Sequence, residues 1–222
     1  MIHRLHRIVI LRGLVTTILL FAHGIELLPK PHMVRAAPIE AMIRGFPSVT
    51  QWYSLSCEYA AAAAVTLYWG DVVSQRDFIR EVPKHPNPHI GFRGNIHGPH
   101  GGVRDYGIYA EPLVPVLEQH GYGATVFYGG ASRLKANLAA GNPVVVWITT
   151  GRYEERPVYR FSHEGETFKL VPYEHTVVAY GYDDGGIYLM DVGDGGFYYT
   201  EWSSFLRRWS YFDQMALVIY PE

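Results

Sequence analysis

The sequence predicts an α+β fold, and three features of the 222-residue chain carry the prediction. Helix-forming segments come first and strand-forming segments later, the order of an α+β rather than an alternating α/β chain. A run rich in alanine opens at the only cysteine, Cys57, and stops at Gly70. Late in the chain two apolar runs flank Asp183-Asp184-Gly185-Gly186, the chemistry of a tight hairpin.

Basic residues up to Arg12 precede the apolar run from Gly13 to Ala22. The run is short for a membrane span but suits the apolar core of a secretory signal. Residues 1–36 are therefore expected to be a signal-like or membrane-proximal leader, with small residues recurring at Ala36 and Ala37. One domain should follow over residues 45–222, the size of a single core. The expected location is secreted or anchored on the outer side of a membrane, with membrane association through the leader. A mis-assigned start would instead leave the chain cytoplasmic. The fraction of hydrophobic residues, 48%, with 14% aromatic, is that of a folded chain.

From Cys57 the chain reads Cys-Glu-Tyr-Ala-Ala-Ala-Ala-Ala-Val-Thr-Leu-Tyr-Trp-Gly. Five alanines favour a helix, Gly70 ends it, and Ser54 or Ser56 is a plausible N-cap. With Glu58 as its lone charge, this helix should be buried on most sides. A short helix is expected over residues 74–82, then a long irregular loop rich in Gly, Pro and His to residue 107. Residues 108–120 look helical, 123–128 extended, and 132–140 helical with Ser132 as cap. Strands are expected over residues 143–149, 175–182, 187–191 and 214–220.

Residues 1–37 carry five basic groups against Glu26, a local +4 that leaves about −6 on the rest of a chain whose net charge is −2. An acidic body argues against nucleic acid as partner. A single cysteine excludes an intrachain disulfide and any zinc spacing built on cysteines. The loop from His85-Pro-Asn-Pro-His89 to His97-Gly-Pro-His100 has histidines, but no neighbouring cysteine or acidic cluster in sequence, so neither metal nor cofactor is expected. The better use of that loop is to line or cover a cleft. The tryptophans are core candidates, with Trp52 placed to line a cleft beside Gln51.

A lone cysteine is ordinarily a small buried apolar residue, so its neighbours must make the case for chemistry. Cys57 sits at a helix N-terminus, where backbone N–H groups favour a thiolate, while Glu58 opposes it unless its side chain points away. Gln51, six residues earlier, could donate to an oxyanion. His175 opens an apolar strand and could act as base. Asp191 ends the next strand, and hairpin geometry decides whether it can reach His175. A four-residue loop pairing Tyr182 with Ile187 puts Asp191 opposite Val178, facing away. A three-residue loop with a left-handed glycine puts it opposite Val177, on the face of His175.

Gln51, Cys57 and Ala60, then His175-Thr176-Val177-Val178 with Gly181-Tyr182, then Asp191, resemble the papain-like clan. The closest likeness is to the bacteriocin-processing, double-glycine group, cysteine peptidase family 39 and its relatives, over about Gln51 to Val218. The resemblance implies a papain-like fold, with the nucleophile on a central helix packed on a C-terminal antiparallel sheet. It also implies Gln51 as oxyanion donor, Cys57 as nucleophile, His175 as base and Asp191 as orienting acid. The chain departs from the family at Glu58, where glycine is common, and at Val192, where proline is common. No attached transporter or ATPase segment supports export-coupled cleavage. Hydrolysis of peptides or proteins by a monomer is the leading expectation. Acyl or peptidyl transfer through the same intermediate, and an inactive binding module on the same fold, are the alternatives.

Overall fold

The first strand, β1 (Ala41–Met42), adds to a sheet whose other members all begin at Tyr122 or later. The protein is seen in a computed structural model that describes residues 37–151 and 156–222; the expected leader lies outside them. After β1 come helices α1 (Cys57–Trp69), α2 (Gln75–Glu81) and α3 (Leu113–Gln119), then β2 (Tyr122–Phe127), α4 (Ala131–Ala139) and β3 (Val144–Thr149). A separate hairpin, β4 (Tyr159–His163) and β5 (Glu166–Leu170), precedes β6 (Glu174–Tyr182) and β7 (Gly186–Asp191). The chain ends with β8 (Phe197–Glu201), α5 (Trp202–Ser210) and β9 (Ala216–Pro221).

The main sheet runs β2-β9-β3-β6-β7-β8, antiparallel throughout, and β1 pairs with β6 at Tyr182 and Gly181. Alternation along the strands sends side chains to two cores. On one face Val145, Trp147 and Val178 pack with Ala60, Ala61, Ala62 and Ala64 of α1. On the other, Val144, Val146, Val177 and Ala179 meet Leu134 and Leu138 of α4 and Phe205 and Trp209 of α5. The alanines of α1 are fully buried because methyl side chains let a helix approach a sheet closely, and larger residues there would overpack at about 1–3 kcal/mol.

Several expectations change at element ends. The fold begins upstream of residue 45: Ile43 is buried and the Tyr182 hydroxyl donates to the Pro38 carbonyl (2.8 Å). Ser56 does stand at the N-cap of α1, but its hydroxyl accepts from the Tyr53 amide (3.0 Å) and makes no side-chain cap bond. Ser74 caps α2 with a full capping box through Asp77. Only residues from Leu113 onward form α3, and α4 starts at Ala131 with Gly130 before it, so Ser132 lies inside the helix. The β4–β5 hairpin, β8 and α5 were not expected. Glu164-Gly165, both with positive φ (51° and 87°), make the two-residue turn of that hairpin.

The β6–β7 register settles the hairpin question in an unforeseen way. Tyr182 pairs with Ile187, as a four-residue loop requires, yet Asp191 pairs with Val177. A register shift between Ala179 and Gly181 leaves Tyr180 as an extra residue on β6, and this bulge returns Asp191 to the face of His175.

Candidate active site

The bulge has a direct consequence: His175 Nε2 and Asp191 Oδ1 lie 2.6 Å apart. Asp191 is held from the other side by the Gly193 amide, which donates to Oδ1 (2.8 Å). Burial alone would raise the Asp191 carboxyl, but the hydrogen bond and charge of His175 and the Gly193 amide keep it below its ordinary value. With Nε2 engaged, Nδ1 of His175 has no hydrogen-bond partner among the described residues. The same turn anchors Gln51, whose amide donates to the Val192 carbonyl (2.8 Å), while the Ser48 hydroxyl donates to the Gly195 carbonyl (2.7 Å). Gln51, Ser54, His100, Thr150, His175, Asp191 and Asp194 line a cleft of about 390 Å³.

Gln51 faces this cleft with one amide proton committed to the Tyr53 carbonyl (Nε2 to O, 2.7 Å), which leaves its second N–H. Its Oε1 is buried without a partner among the described residues. Trp52, half exposed, and Tyr53, packed edge-on against His97, stand beside it.

Cys57 occupies different surroundings. Its side chain is buried and its thiol donates to Glu58 Oε2 (3.4 Å). Glu58 does not point away, as a free thiolate would need: Oε1 accepts from the Ile108 amide at 2.7 Å. A sulfur ligand atom and one oxygen each from Glu58 and Glu174 lie within 4.8 Å of one another. Burial pushes the Cys57 thiol well up, the carboxylates of Glu58 and Glu174 push it further, and the Thr176 amide pulls it partly back. The helix N-terminus therefore does not win over burial and two acids. Because Thr176 follows His175, the sulfur rests against the backbone of the strand that carries His175. The thiol and imidazole make no hydrogen bond to each other in this state, and such bonds often tighten only when substrate is bound.

A sequence model described as the Peptidase_C39 like family matches residues 43–217. The chain belongs to this C39-like family. A curated relative, an uncharacterized protein of Bacillus subtilis (strain 168) called YvpB, is 24% identical over 196 residues, covering 83% of this chain and 76% of the relative. A crystal structure of a C39-like peptidase from Bacillus anthracis superposes with a TM-score of 0.68 at 22% identity, covering 82% of this chain and 98% of that one. The peptidase domain of Streptococcus ComA, a bifunctional ABC transporter of a quorum-sensing pathway, gives a TM-score of 0.51 at 14% identity, covering 80% and 99%. The fold of the C39-like chain is thus that of the papain-like cysteine peptidases.

In this C39-like chain the four expected residues form two groups. Gln51, His175 and Asp191 line the cleft, and Cys57 is buried with Glu58 outside that lining. Sequence reading missed Glu174, whereas His100 belongs to the His-rich loop that was expected to line a cleft, and it does so. The His100 ring approaches the Glu174 carbonyl (Nε2 to O, 3.0 Å) and packs edge-on against His175, which ties the His-rich loop to the Asp191-paired histidine. Burial lowers the His100 pKa. The signal for Glu174 was present, since an acid standing before a buried apolar strand needs partners. His85 of the same loop comes near His163 and Glu164, with ligand atoms within 4.8 Å, a grouping that sequence order hid. Lys84, Arg93 and Arg104 line the adjoining pocket, and their charge opposes a cation there.

Proposed function

We propose that the chain is a cysteine peptidase acting on peptides or proteins, with Cys57 as nucleophile, His175 as general base and Asp191 as its orienting acid. The observation that carries the reading is the 2.6 Å pairing of His175 Nε2 with Asp191, which leaves Nδ1 uncommitted, while the cysteine at the start of α1 meets the same strand at the Thr176 backbone. Sulfur attacks the scissile carbonyl carbon as its proton passes to Nδ1 of His175, and the carbonyl π-electrons move to oxygen. The second Gln51 N–H and the Cys57 amide are the donors for that oxyanion. Asp191 stabilises the imidazolium, which returns the proton to the leaving amine; water then releases the acyl group by the reverse sequence. Because the resting thiol is raised, proton transfer accompanies attack rather than preceding it.

The test is labelling of the intact chain by an electrophilic peptide probe, together with turnover of a peptide library by the wild type and by Cys57→Ala. Covalent labelling at Cys57 and turnover lost in the variant are expected. Turnover that survives Cys57→Ala would exclude the covalent route.

A further inference from the structure

We propose that Glu58 and Glu174 form a carboxyl pair sharing one proton, which holds the Cys57 thiol neutral in the resting protein and makes Glu58 a positioning residue for the nucleophile. This rests on the reading of Cys57 as nucleophile.

The geometry is a built site. Glu58 is fully buried and Glu174 nearly so, at 4% exposure, and their oxygens and the sulfur are mutually within 4.8 Å. Each carboxyl has its own support. Glu58 Oε1 accepts from the Ile108 amide (2.7 Å), and Glu174 Oε1 accepts from the Thr176 hydroxyl (3.2 Å). The backbone is shaped around the first of these. Gly107 has φ of 125°, and a Cβ there would overlap Glu58 Oε1, so only glycine lets the loop deliver the Ile108 amide to the carboxylate.

Two carboxylates this close in the interior cannot both ionise at neutral pH. Burial raises both, Glu58 to about 7, with the neighbouring Glu58 charge adding to the rise at Glu174. The other titratable groups facing the pair are few. Tyr59 from α1 and Tyr106 and Tyr109 from the loop before α3 are phenols kept neutral by burial, and His175 lies near enough to favour the Glu58 anion. The pair thus carries about one negative charge beside the sulfur. In turnover it neither gives nor takes a proton: the S–H bond breaks, the N–H bond forms on His175, and the C–S bond forms at the carbonyl. Its effect is to set how costly the thiolate is before substrate arrives.

Cys57 is the only cysteine, so alkylation by iodoacetamide reads it alone. The experiment measures the alkylation rate of the full chain against pH in the wild type, Glu58→Gln and Glu174→Gln, with infrared spectra of the carboxyl region. The wild-type midpoint is expected above the ordinary cysteine value of about 8.5, and to fall by about one pH unit or more in Glu58→Gln, giving roughly tenfold faster alkylation at neutral pH. A smaller fall is expected in Glu174→Gln. The carbonyl stretch of a protonated carboxylic acid should persist at neutral pH in the wild type and be lost in the double variant Glu58→Gln/Glu174→Gln. A wild-type midpoint at or below the ordinary value, no shift in Glu58→Gln, or no protonated-acid band would each overturn the pair. If the variants do not fold, the wild-type midpoint and band decide the matter. Alkylation needs no amide hydrolysis, so an intact shift without peptide turnover would sink the proposed function and leave the pair standing.

Discussion

Residues 174 and 175 are neighbours on β6, yet they belong to two regions of opposite character. His175 and Asp191 border an open cleft, where a hydrogen-bonded pair is supported by a backbone amide and the Asp191 carboxyl is held below its ordinary value. Glu174 joins Glu58 and Cys57 in the interior, where burial favours neutral forms of all three. One strand alternation separates a place where charge is cheap from one where it is costly. Under the proposed function, a site assembled this way has its base ready and its nucleophile held back.

The comparison can be broken most severely at the sulfur. Cys57→Ala should reduce amide turnover on the order of 10⁶-fold while stability changes by about 1 kcal/mol, measured by kcat and by thermal melting. On the cleft side, Asp191→Asn should lower kcat by about 10²- to 10⁴-fold, since the imidazole loses its orienting anion. A modest loss would not exclude the contact, because an amide can serve in this role, whereas a loss below tenfold in Asp191→Ala would show that the pair in the cleft does not orient the base. Gln51→Ala should cost about 10²-fold in kcat with little change in KM, the mark of a donor used only in the transition state.

Smaller effects sharpen the buried side. Gly107→Ala should destabilise the fold by about 1–3 kcal/mol in denaturant titration, because the left-handed backbone and the Glu58 contact both resist a Cβ. The pH dependence of stability separates the two regions by sign. Glu58 has a folded pKa raised from 4.5 to about 7, so the folded state binds the extra proton and its contribution falls as pH rises through that window. Asp191 has a lowered folded pKa, so its contribution is present above the unfolded value and is lost as pH falls. Melting against pH in Glu58→Gln and Asp191→Asn should flatten opposite limbs of the profile.

The α+β class, the helix starting at Cys57, the short helix expected over residues 74–82 and the candidate residues Gln51, Cys57, His175 and Asp191 were legible in the sequence, because each rests on local composition or spacing. The β4–β5 hairpin was less so, as its strands alternate polar residues on an exposed face and make no part of the main sheet. What the sequence determined by itself was which side chains are available and at which element ends they stand. Tertiary structure alone decided how they meet. A bulge at Tyr180, invisible to hairpin rules, corrected the register by one residue and turned Asp191 toward His175. A loop fifty residues from Glu58 brought the Ile108 amide to its carboxylate, and strand alternation added Glu174 beside it. The physical reason is that a side chain's charge state follows from the dielectric and partners around it, and those are set by chain segments far apart in sequence.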